Sequence, residues 1–310
     1  MSKDIRPDEI PLSAPSSVPF PAEEFEAVEP PTSFLKDVWQ AYRNNRMALG
    51  GALGVALLVF MAVFAPLLTP YGPFDIDLDV MTLPPSAAHW LGTDQFGRDL
   101  LTRILYGSRI SLVIGIVPTL LSMAIGTTLG LVGGWYGGKI DYAIMRLADI
   151  VLAFPSVLLA MVVMYTLGAS LFNLFIALAV VGWAGTSRVV RSQVISLREK
   201  EFVEACRAMG VKTPVILFRH ILPNCLPSLI VLFTLGIPGA ILSEASLSFL
   251  GVGAQPPTPS WGLIIVSGKE FLFSAPWIAI APGVFILLTV LAFNFLGDGL
   301  RDAFDPYMKP

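Results

Sequence analysis

The chain has 310 residues, of which 55% are hydrophobic and 14% are charged. Soluble domains carry about 25% charged residues, so the composition excludes an ordinary soluble protein and favours an integral membrane protein. The net charge of −3 separates no classes of membrane protein, because the placement of charges matters more than their sum. Cys206 and Cys225 are too few for a disulfide framework, and we expect both to be small packing residues.

The N-terminal region differs in composition from the rest. Residues 1–32 contain seven prolines, a cluster of glutamates and no apolar core of a signal peptide, which predicts a disordered cytoplasmic tail. Residues 33–46 place apolar side chains on one helical stripe. This pattern predicts an interfacial helix, with a helical extension of the first span as the alternative. Residues 47–310 form the predicted transmembrane domain.

Six apolar runs reach the ~17–25 residues that a membrane-spanning helix needs. The predicted spans are 47–69, 109–135, 143–167, 169–187, 226–247 and 277–297. With both termini cytoplasmic, 16 of the 20 Lys and Arg residues fall on the cytoplasmic side, as the positive-inside rule requires. The sequence therefore predicts an all-α polytopic membrane protein with about six spans and both termini inside.

Several features concern helix packing and the outer segments. Gly126, Gly130 and Gly134 recur at four-residue intervals, and small residues at this spacing let helices approach closely.

An amphipathic helix is expected near 100–105, before the second span. The segment 248–276 is rich in Gly and Pro, which favours a structured outer loop or a segment that dips back where protein shields its backbone.

The residues argue against an enzyme and against an ion-driven transporter. Residues 133–140, GGWYGGKI, nearly fit a P-loop, but Ile140 stands where Ser or Thr must hold magnesium. The two histidines lie on opposite sides in this topology, and no metal site is expected. Ion-coupled transporters keep acids near the middle of a span, whereas Arg146 and Asp149 lie at a span end, spaced for a local ion pair.

Three residues late in the fifth predicted span could line a polar passage or a gate. They are Ser243, Glu244 and Ser246. An acid near the end of a span can line a passage when hydroxyls surround it. The alternative is that Glu244 faces the lipid headgroups.

The segment 188–224 between the fourth and fifth spans is patterned as helix, turn, helix. Residues 198–209 fit a helix with Phe202, Cys206 and Met209 on one face. Gly210 is placed where a left-handed residue ends a helix, and Pro214 suits the start of a second helix that runs to Pro223. The segment is too polar for the bilayer, which predicts an element that docks a cytoplasmic partner; a self-packed cap is the alternative.

This segment resembles the EAA loop of ABC importer permeases. The pattern is Glu-Ala-Ala, three residues, Gly, nine residues, then Ile-x-Leu-Pro. Cys206 replaces the second Ala and His220 the Ile. Four further stretches resemble the second permease subunit of dipeptide, oligopeptide and nickel importers: LGTDQFGRDLLTRILYGSRISL, GGWYGGKIDYAIMRLADIVLAFPSVLLA, SEASLSFLGVGAQPPTPSWG and LGDGLRDAFDPYMK.

The resemblance implies a type I ABC importer permease fold and a transport subunit that is not itself an enzyme. The implied partners are a homologous permease subunit, two ATP-binding subunits and an extracytoplasmic binding protein, within membrane lipid and without nucleic acid. ATP and Mg would be bound by the ATPase subunits, with no cofactor in this chain. The implied cargo is di- or oligopeptides, with nickel or another solute as an alternative and a stand-alone secondary transporter as a weaker one.

The resemblance also implies which residues transmit ATPase motion. In the family the short helix of the loop sits in a groove on the ATPase. Carried over by position, the ATPase-coupling residues would be Glu201, Glu204, Ala205, Cys206, Arg207, Gly210, Leu222 and Pro223.

Overall fold

The computed structural model describes residues 34–304. The predicted tail 1–32 lies outside them. The α-helices are, in chain order, α1 (Phe34–Asn44), α2 (Arg46–Leu68), α3 (Leu100–Tyr136), α4 (Gly138–Ala153), α5 (Ser156–Leu167), α6 (Leu171–Arg198), α7 (Glu201–Ala208), α8 (Thr213–Phe249), α9 (Trp261–Gly268) and α10 (Trp277–Phe304). Short 3₁₀ turns occur at Leu78–Val80 and Lys269–Phe271.

Five helices are long and apolar enough to cross a membrane: α2, α3, α6, α8 and α10. The pair α4 and α5 provides a sixth crossing if it is taken as one span. The chain then alternates between two ends of the bundle. We call the end that holds residues 199–212 the α7 end, and the end that holds residues 69–99 and 250–276 the loop end.

The third predicted span, 143–167, is not one straight helix. α4 and α5 are bent by 95° at residues 154–155. Phe154 is extended, with φ −95° and ψ 143°, because a proline disfavours helical geometry in the residue before it. Pro155 therefore divides the predicted span into two helices.

The second span begins earlier than predicted. α3 starts at Leu100, so the predicted outer amphipathic helix is the first part of α3. Asp99 caps it, accepting hydrogen bonds from the backbone N–H of Thr102 at 2.8 Å and from the Thr102 hydroxyl at 2.7 Å. A capped start at this position lets a single helix of 37 residues form.

The predicted glycine contact is present between α3 and α6. A Cβ built on Gly126, Gly130 or Gly134 would lie 2.6 to 2.9 Å from a carbonyl oxygen of α6 in each case. Side chains larger than hydrogen cannot occupy that space without moving one helix. The three glycines therefore set the distance between α3 and α6.

A buried carboxylate organises the segment between α2 and α3. Asp94 accepts hydrogen bonds from the backbone N–H groups of Phe96 and Arg98, from the Arg98 Nε at 2.7 Å and from the Arg103 Nη1 at 2.5 Å. The Trp277 Nε1 donates to the Thr93 carbonyl at 3.3 Å, which ties this segment to the start of α10. The motif around Asp94 thus fixes the loop end of the bundle.

The Gly- and Pro-rich segment after α8 folds back among the helices. α9 contacts α8, α10 and α3. The Trp261 side chain is fully buried, and its Nε1 donates to the Ile104 carbonyl at 3.0 Å. Of the two expectations for this segment, the structure matches the one in which it dips back and protein surrounds it.

α2 is fastened to α3 through a carbonyl that a proline leaves free. Pro66 lacks the N–H that would bond to Ala62 in a regular helix. The Arg109 Nε donates to that Ala62 carbonyl at 2.5 Å, and its Nη2 donates to the Val63 carbonyl at 2.9 Å. The cation thus replaces the missing backbone hydrogen bond.

α1 is a helix separate from α2. Asn45 caps α2 by accepting from the N–H groups of Met47 and Ala48, and its Nδ2 donates to the Asp302 carboxylate at 3.3 Å. The Tyr42 hydroxyl donates to the Ala48 carbonyl at 2.8 Å, and burial raises the pKa of Tyr42. Location of this helix at a membrane interface stays a prediction.

The glycine contact predicts a packing defect in Gly130→Leu. The added side chain would start 2.7 Å from the Ser187 carbonyl oxygen, and overpacking of this kind costs about 1–3 kcal/mol. We expect a lower midpoint of thermal unfolding for the purified protein in detergent. Gly50→Leu is the matched control, because a Cβ at Gly50 meets nothing within 4 Å. Equal midpoints of thermal unfolding for the two variants would contradict the role of Gly130 in the contact between α3 and α6.

Candidate functional site

A cavity of about 210 Å³ lies midway along the bundle. It is enclosed by α3, α5, α6 and α8. Its wall consists of Pro118, Thr119, Ser122, Met123, Ser156, Val157, Ala160, Leu178, Val181, Gly182, Thr186, Leu232, Phe233, Gly236, Gly239, Ala240 and Ser243. Ser156, Gly182 and Gly239 are exposed, so the cavity opens at the surface of the chain.

The lining of this cavity is uncharged and rich in small residues. Its polar side chains are hydroxyls. The Thr119 hydroxyl donates to the Gly115 carbonyl at 2.6 Å, and the Ser243 hydroxyl donates to the Gly239 carbonyl at 2.7 Å. A hydroxyl that donates within its own helix keeps lone pairs that can accept from a solute. The arrangement can bind polar, hydrogen-bonding solutes weakly, without a fixed charge to select among them.

The two glycines that face α3 from neighbouring helices keep the wall compact. A Cβ on Gly236 would lie 2.8 Å from the Thr119 Cγ2, and a Cβ on Gly182 would lie 2.9 Å from the Ser122 Cβ. These close approaches bring hydroxyls of α3 next to the backbones of α8 and α6. The lining is therefore set by helix packing as well as by side-chain chemistry.

The structure separates the three residues predicted to line a passage or gate. Ser243 lines the cavity. Ser246 is exposed and does not line it, and Glu244 is 1% exposed. Glu244 points about 100° away from Ser243 around α8, and Ser246 lies about 4.5 Å further along the helix axis towards the loop end.

Glu244 faces the segment that follows α8. Its Oε1 accepts from the Ser248 hydroxyl at 2.7 Å and from the Ser260 hydroxyl at 2.9 Å. Ser260 in turn caps α9 by accepting from the Leu263 N–H at 3.1 Å. Glu244 thus fastens α8 to the start of α9; it is buried inside the chain and does not line the cavity.

The segment predicted at 188–224 is shorter than expected. α6 continues through Arg198, and α8 begins at Thr213. Residues 199–212 connect α6 to α8 and contain α7 at their centre. Both neighbouring helices therefore extend beyond the predicted edges 187 and 226.

α7 packs through a face one residue away from the predicted one. Val203 is fully buried and Cys206 is 7% exposed, within a cluster that includes residues of α6 and α8. Phe202 and Met209 are exposed, by 41% and 73%. Residues three apart share a helix face, and here Val203 and Cys206 form it. The small Cys206 side chain allows this close packing.

Gly210 ends α7 as predicted. Its φ is +73°. The Gly210 N–H donates to the Arg207 carbonyl and the Val211 N–H to the Cys206 carbonyl, both at 3.0 Å. This pair of hydrogen bonds is the Schellman motif, which needs a left-handed residue and so favours glycine.

Leu222 and Pro223 lie inside α8, where a helix end was expected. Residues Ile216–Ile221 form a π-helical turn, and the Leu222 N–H donates to the Leu217 carbonyl, five residues back. Proline is tolerated within a helix when a local π adjustment satisfies the freed backbone groups. The segment after α7 therefore joins the span directly.

The other residues assigned to ATPase coupling lie on the exposed side of α7. Glu201, Glu204, Ala205 and Arg207 are all exposed. The Arg207 guanidinium stacks 4.6 Å from the Trp135 ring centroid, which links α7 to the end of α3. Their role in docking an ATPase stays a prediction.

Ion pairs fasten α4 to α6 near the α7 end. Arg191 forms a two-point pair with Asp141, and the Arg188 Nη2 lies 2.6 Å from the Asp149 carboxylate. The local Arg146–Asp149 pair expected from spacing is not formed. Arg146 instead donates to the Tyr142 hydroxyl at 3.0 Å, because Asp149 faces α6.

The near P-loop is a turn between helices. α3 ends at Tyr136 and α4 begins at Gly138, with Gly137 and Gly138 at φ +64° and +54°. The Arg198 Nη1 donates to the Trp135 carbonyl at 3.2 Å. The glycines thus serve a tight connection between α3 and α4.

Sequence reasoning missed the cavity. Its signal was present as Thr, Ser and Gly residues in four helices, but such residues are common in membrane helices for packing alone. Only the arrangement of α3, α5, α6 and α8 shows which of them face a shared space.

Comparison with known proteins supports one family. Residues 126–310 match the model of the binding-protein-dependent transport system inner membrane component, and residues 33–85 match that of the N-terminal TM domain of oligopeptide transport permease C.

Three similar relatives are permeases. The chain is 46% identical to a dipeptide transport system permease of Alkalihalophilus pseudofirmus, covering 96% of this chain and 97% of the relative. It is 44% identical to a glutathione transport system permease of Pectobacterium atrosepticum, covering 88% and 91%. It is also 44% identical to a di/tripeptide transport system permease of Pseudomonas aeruginosa, covering 93% and 97%.

A solved structure shows the same fold. It is a chain of a methionine ABC transporter in an inward-facing conformation, with a TM-score of 0.53 and 20% identity, covering 65% of this chain and 96% of that one. The family match extends over more than half of the residues. The chain belongs to the binding-protein-dependent transport system inner membrane components, the non-catalytic multi-pass permease subunits of ABC importers.

Proposed function

We propose that this chain forms half of the translocation pathway of an ATP-driven peptide importer. The observation that carries the proposal is the uncharged, hydroxyl-lined cavity midway along the bundle, in a chain of this permease family. Peptides present backbone N–H groups that such hydroxyls can accept from. The relatives named above as dipeptide, di/tripeptide and glutathione permeases favour peptides over nickel or another solute.

The energy for transport comes from partner subunits in this proposal. ATP and Mg are bound by two ATP-binding subunits, and this chain holds no cofactor. The exposed side of α7 is the surface for docking them, since it presents Glu201, Glu204 and Arg207 together with the apolar Phe202 and Met209. A polar rim around exposed apolar residues is typical of protein interfaces.

Two further partners complete the importer. A homologous permease subunit closes the open side of the cavity, where Ser156 and Gly239 are exposed. An extracytoplasmic binding protein delivers the solute at the loop end, where Asp94 and its partners hold a fixed surface.

The α7 end is the cytoplasmic side in this proposal, with both termini inside. α7 carries Arg207 and lies near Arg188, Arg191, Arg198 and Lys200, and cytoplasmic segments carry the excess of Lys and Arg. The chain is thus oriented for ATPases to reach α7 in the bacterial or archaeal inner membrane.

The packing of α7 indicates how its movement reaches the cavity. Val203 and Cys206 pack in one cluster with Val190 and Val194 of α6 and Ile221 of α8. α6 and α8 both continue to the cavity wall. Displacement of α7 by closing ATPases therefore moves two of the helices that line the cavity, which alternates its access.

Reconstitution of the whole importer tests the proposal. With binding protein and ATP, proteoliposomes should accumulate a labelled dipeptide, and the peptide should stimulate ATP hydrolysis. The same complex without ATP is the control. Uptake by this chain alone without ATP would favour a stand-alone secondary transporter, and uptake of a nickel chelate but no peptide would favour the nickel alternative; either result contradicts the proposal.

The docking surface predicts a defect in Glu204→Lys. Reversal of an exposed interface charge can place like charges together, at a cost of several kcal/mol. Because about 1.4 kcal/mol is tenfold in an equilibrium constant, we expect at least tenfold less ATPase to co-purify with the variant at equal membrane expression. Asp79→Lys, an exposed acid at the loop end, is the matched control. Co-purification equal to that of the control would remove Glu204 from the docking surface.

A further inference from the structure

We infer that Gly239 sets the upper size of the solute that this half of the passage admits. The inference rests on the proposed function and goes beyond it by naming a residue that determines specificity. Gly239 lies on α8, lines the cavity and is exposed. A Cβ built on it would meet nothing within 4 Å, so a side chain added there projects into free space.

Gly239 differs in this respect from the other glycines of the wall. A Cβ on Gly236 or Gly182 would strike α3 side chains at 2.8 and 2.9 Å. Those two glycines serve helix packing, and their substitution would move helices. Of the three, Gly239 alone can be enlarged without a clash within this chain, so its missing side chain corresponds to open volume on the side where the partner permease subunit is proposed to lie.

The volume involved is large relative to the cavity. The cavity measures about 210 Å³, and the four-carbon side chain of leucine would fill a substantial part of it. The wall also holds Phe233 of α8 and Met123 of α3, whose side chains already limit the space. The size of the side chain at position 239 therefore controls how bulky a solute can pass.

Selection at this position acts on bulk and not on charge. The cavity wall contains hydroxyl, apolar and glycine residues and no charged side chain. A neutral wall discriminates among peptides of equal length but different charge only weakly, because it offers no ion pair to any of them. Peptide length and side-chain volume remain as the properties that the wall can sense.

The test measures uptake of two peptides by the complete importer in proteoliposomes. The probes are dialanine and pentaalanine, each presented with binding protein and ATP. For Gly239→Leu we expect the ratio of pentaalanine to dialanine uptake to fall about tenfold, the scale of discrimination that steric pockets reach. Gly239→Ala should lower the ratio less, and Gly239→Met serves if the Leu variant does not assemble.

Two controls separate size selection from general damage. Gly50→Leu adds the same side chain to α2, where it meets nothing within 4 Å and lies off the cavity, and should leave the ratio unchanged. Dipeptides that carry Lys or Glu should keep their uptake relative to dialanine in Gly239→Leu. A change with charge instead of length would overturn the inference.

The outcomes also separate the inference from the proposal on which it rests. An assembled, ATP-hydrolysing Gly239→Leu or Gly239→Met importer with an unchanged length ratio would overturn the inference and leave the proposed function intact. Absence of ATP-dependent uptake of either peptide by the wild-type importer would overturn the proposed function, and the inference with it.

Discussion

The close approach of α3 to α6 is the constraint on which the rest of the structure depends. Three glycines spaced four residues apart let the α6 backbone lie against α3. Without water between membrane helices, such packing replaces the hydrophobic effect as the source of helix association. The contact begins beside the cavity at Gly126 and ends at Gly134, where α7 lies close by. It therefore joins the cavity and the α7 end into one packed unit.

Among residues 34–304, the ion pairs lie towards the two ends of that unit. At the α7 end, Asp141 and Asp149 hold α4 against α6. At the loop end, Asp94 holds Arg98 and Arg103. Between them the cavity wall is uncharged, which suits a passage that must release its solute, since strong binding midway would slow transport. Glu244 is the nearby acid that could have placed a charge in the cavity wall, but its carboxylate accepts hydrogen bonds from Ser248 and Ser260 instead.

The sequence predicted the features that depend on local chemistry. The approximate positions of the spans follow from the lengths of the apolar runs. The turn at Gly210 follows from the preference of glycine for the left-handed conformation that ends a helix. The contact between α3 and α6 follows from the four-residue spacing of its glycines. Features that hydropathy and residue spacing do not report were wrong or missed. The break before Pro155 interrupts a run that hydropathy alone reads as continuous, and the π turn before Pro223 carries a helix past a predicted end. The buried face of α7 differs because α6 and α8 determine which residues it covers, and the cavity needs four helices to define it.

The most direct test of a passage driven from α7 is thiol accessibility at the cavity. Cys206 and Cys225 are buried, so Gly239→Cys gives this chain one accessible thiol, and labelling of this chain is measured in the complete importer. A membrane-impermeant maleimide should label it from the α7 side in the nucleotide-free importer and from the loop side when ATP hydrolysis is arrested. Labelling from the same side in both states, or in neither, would contradict a passage whose access alternates with the ATPase cycle.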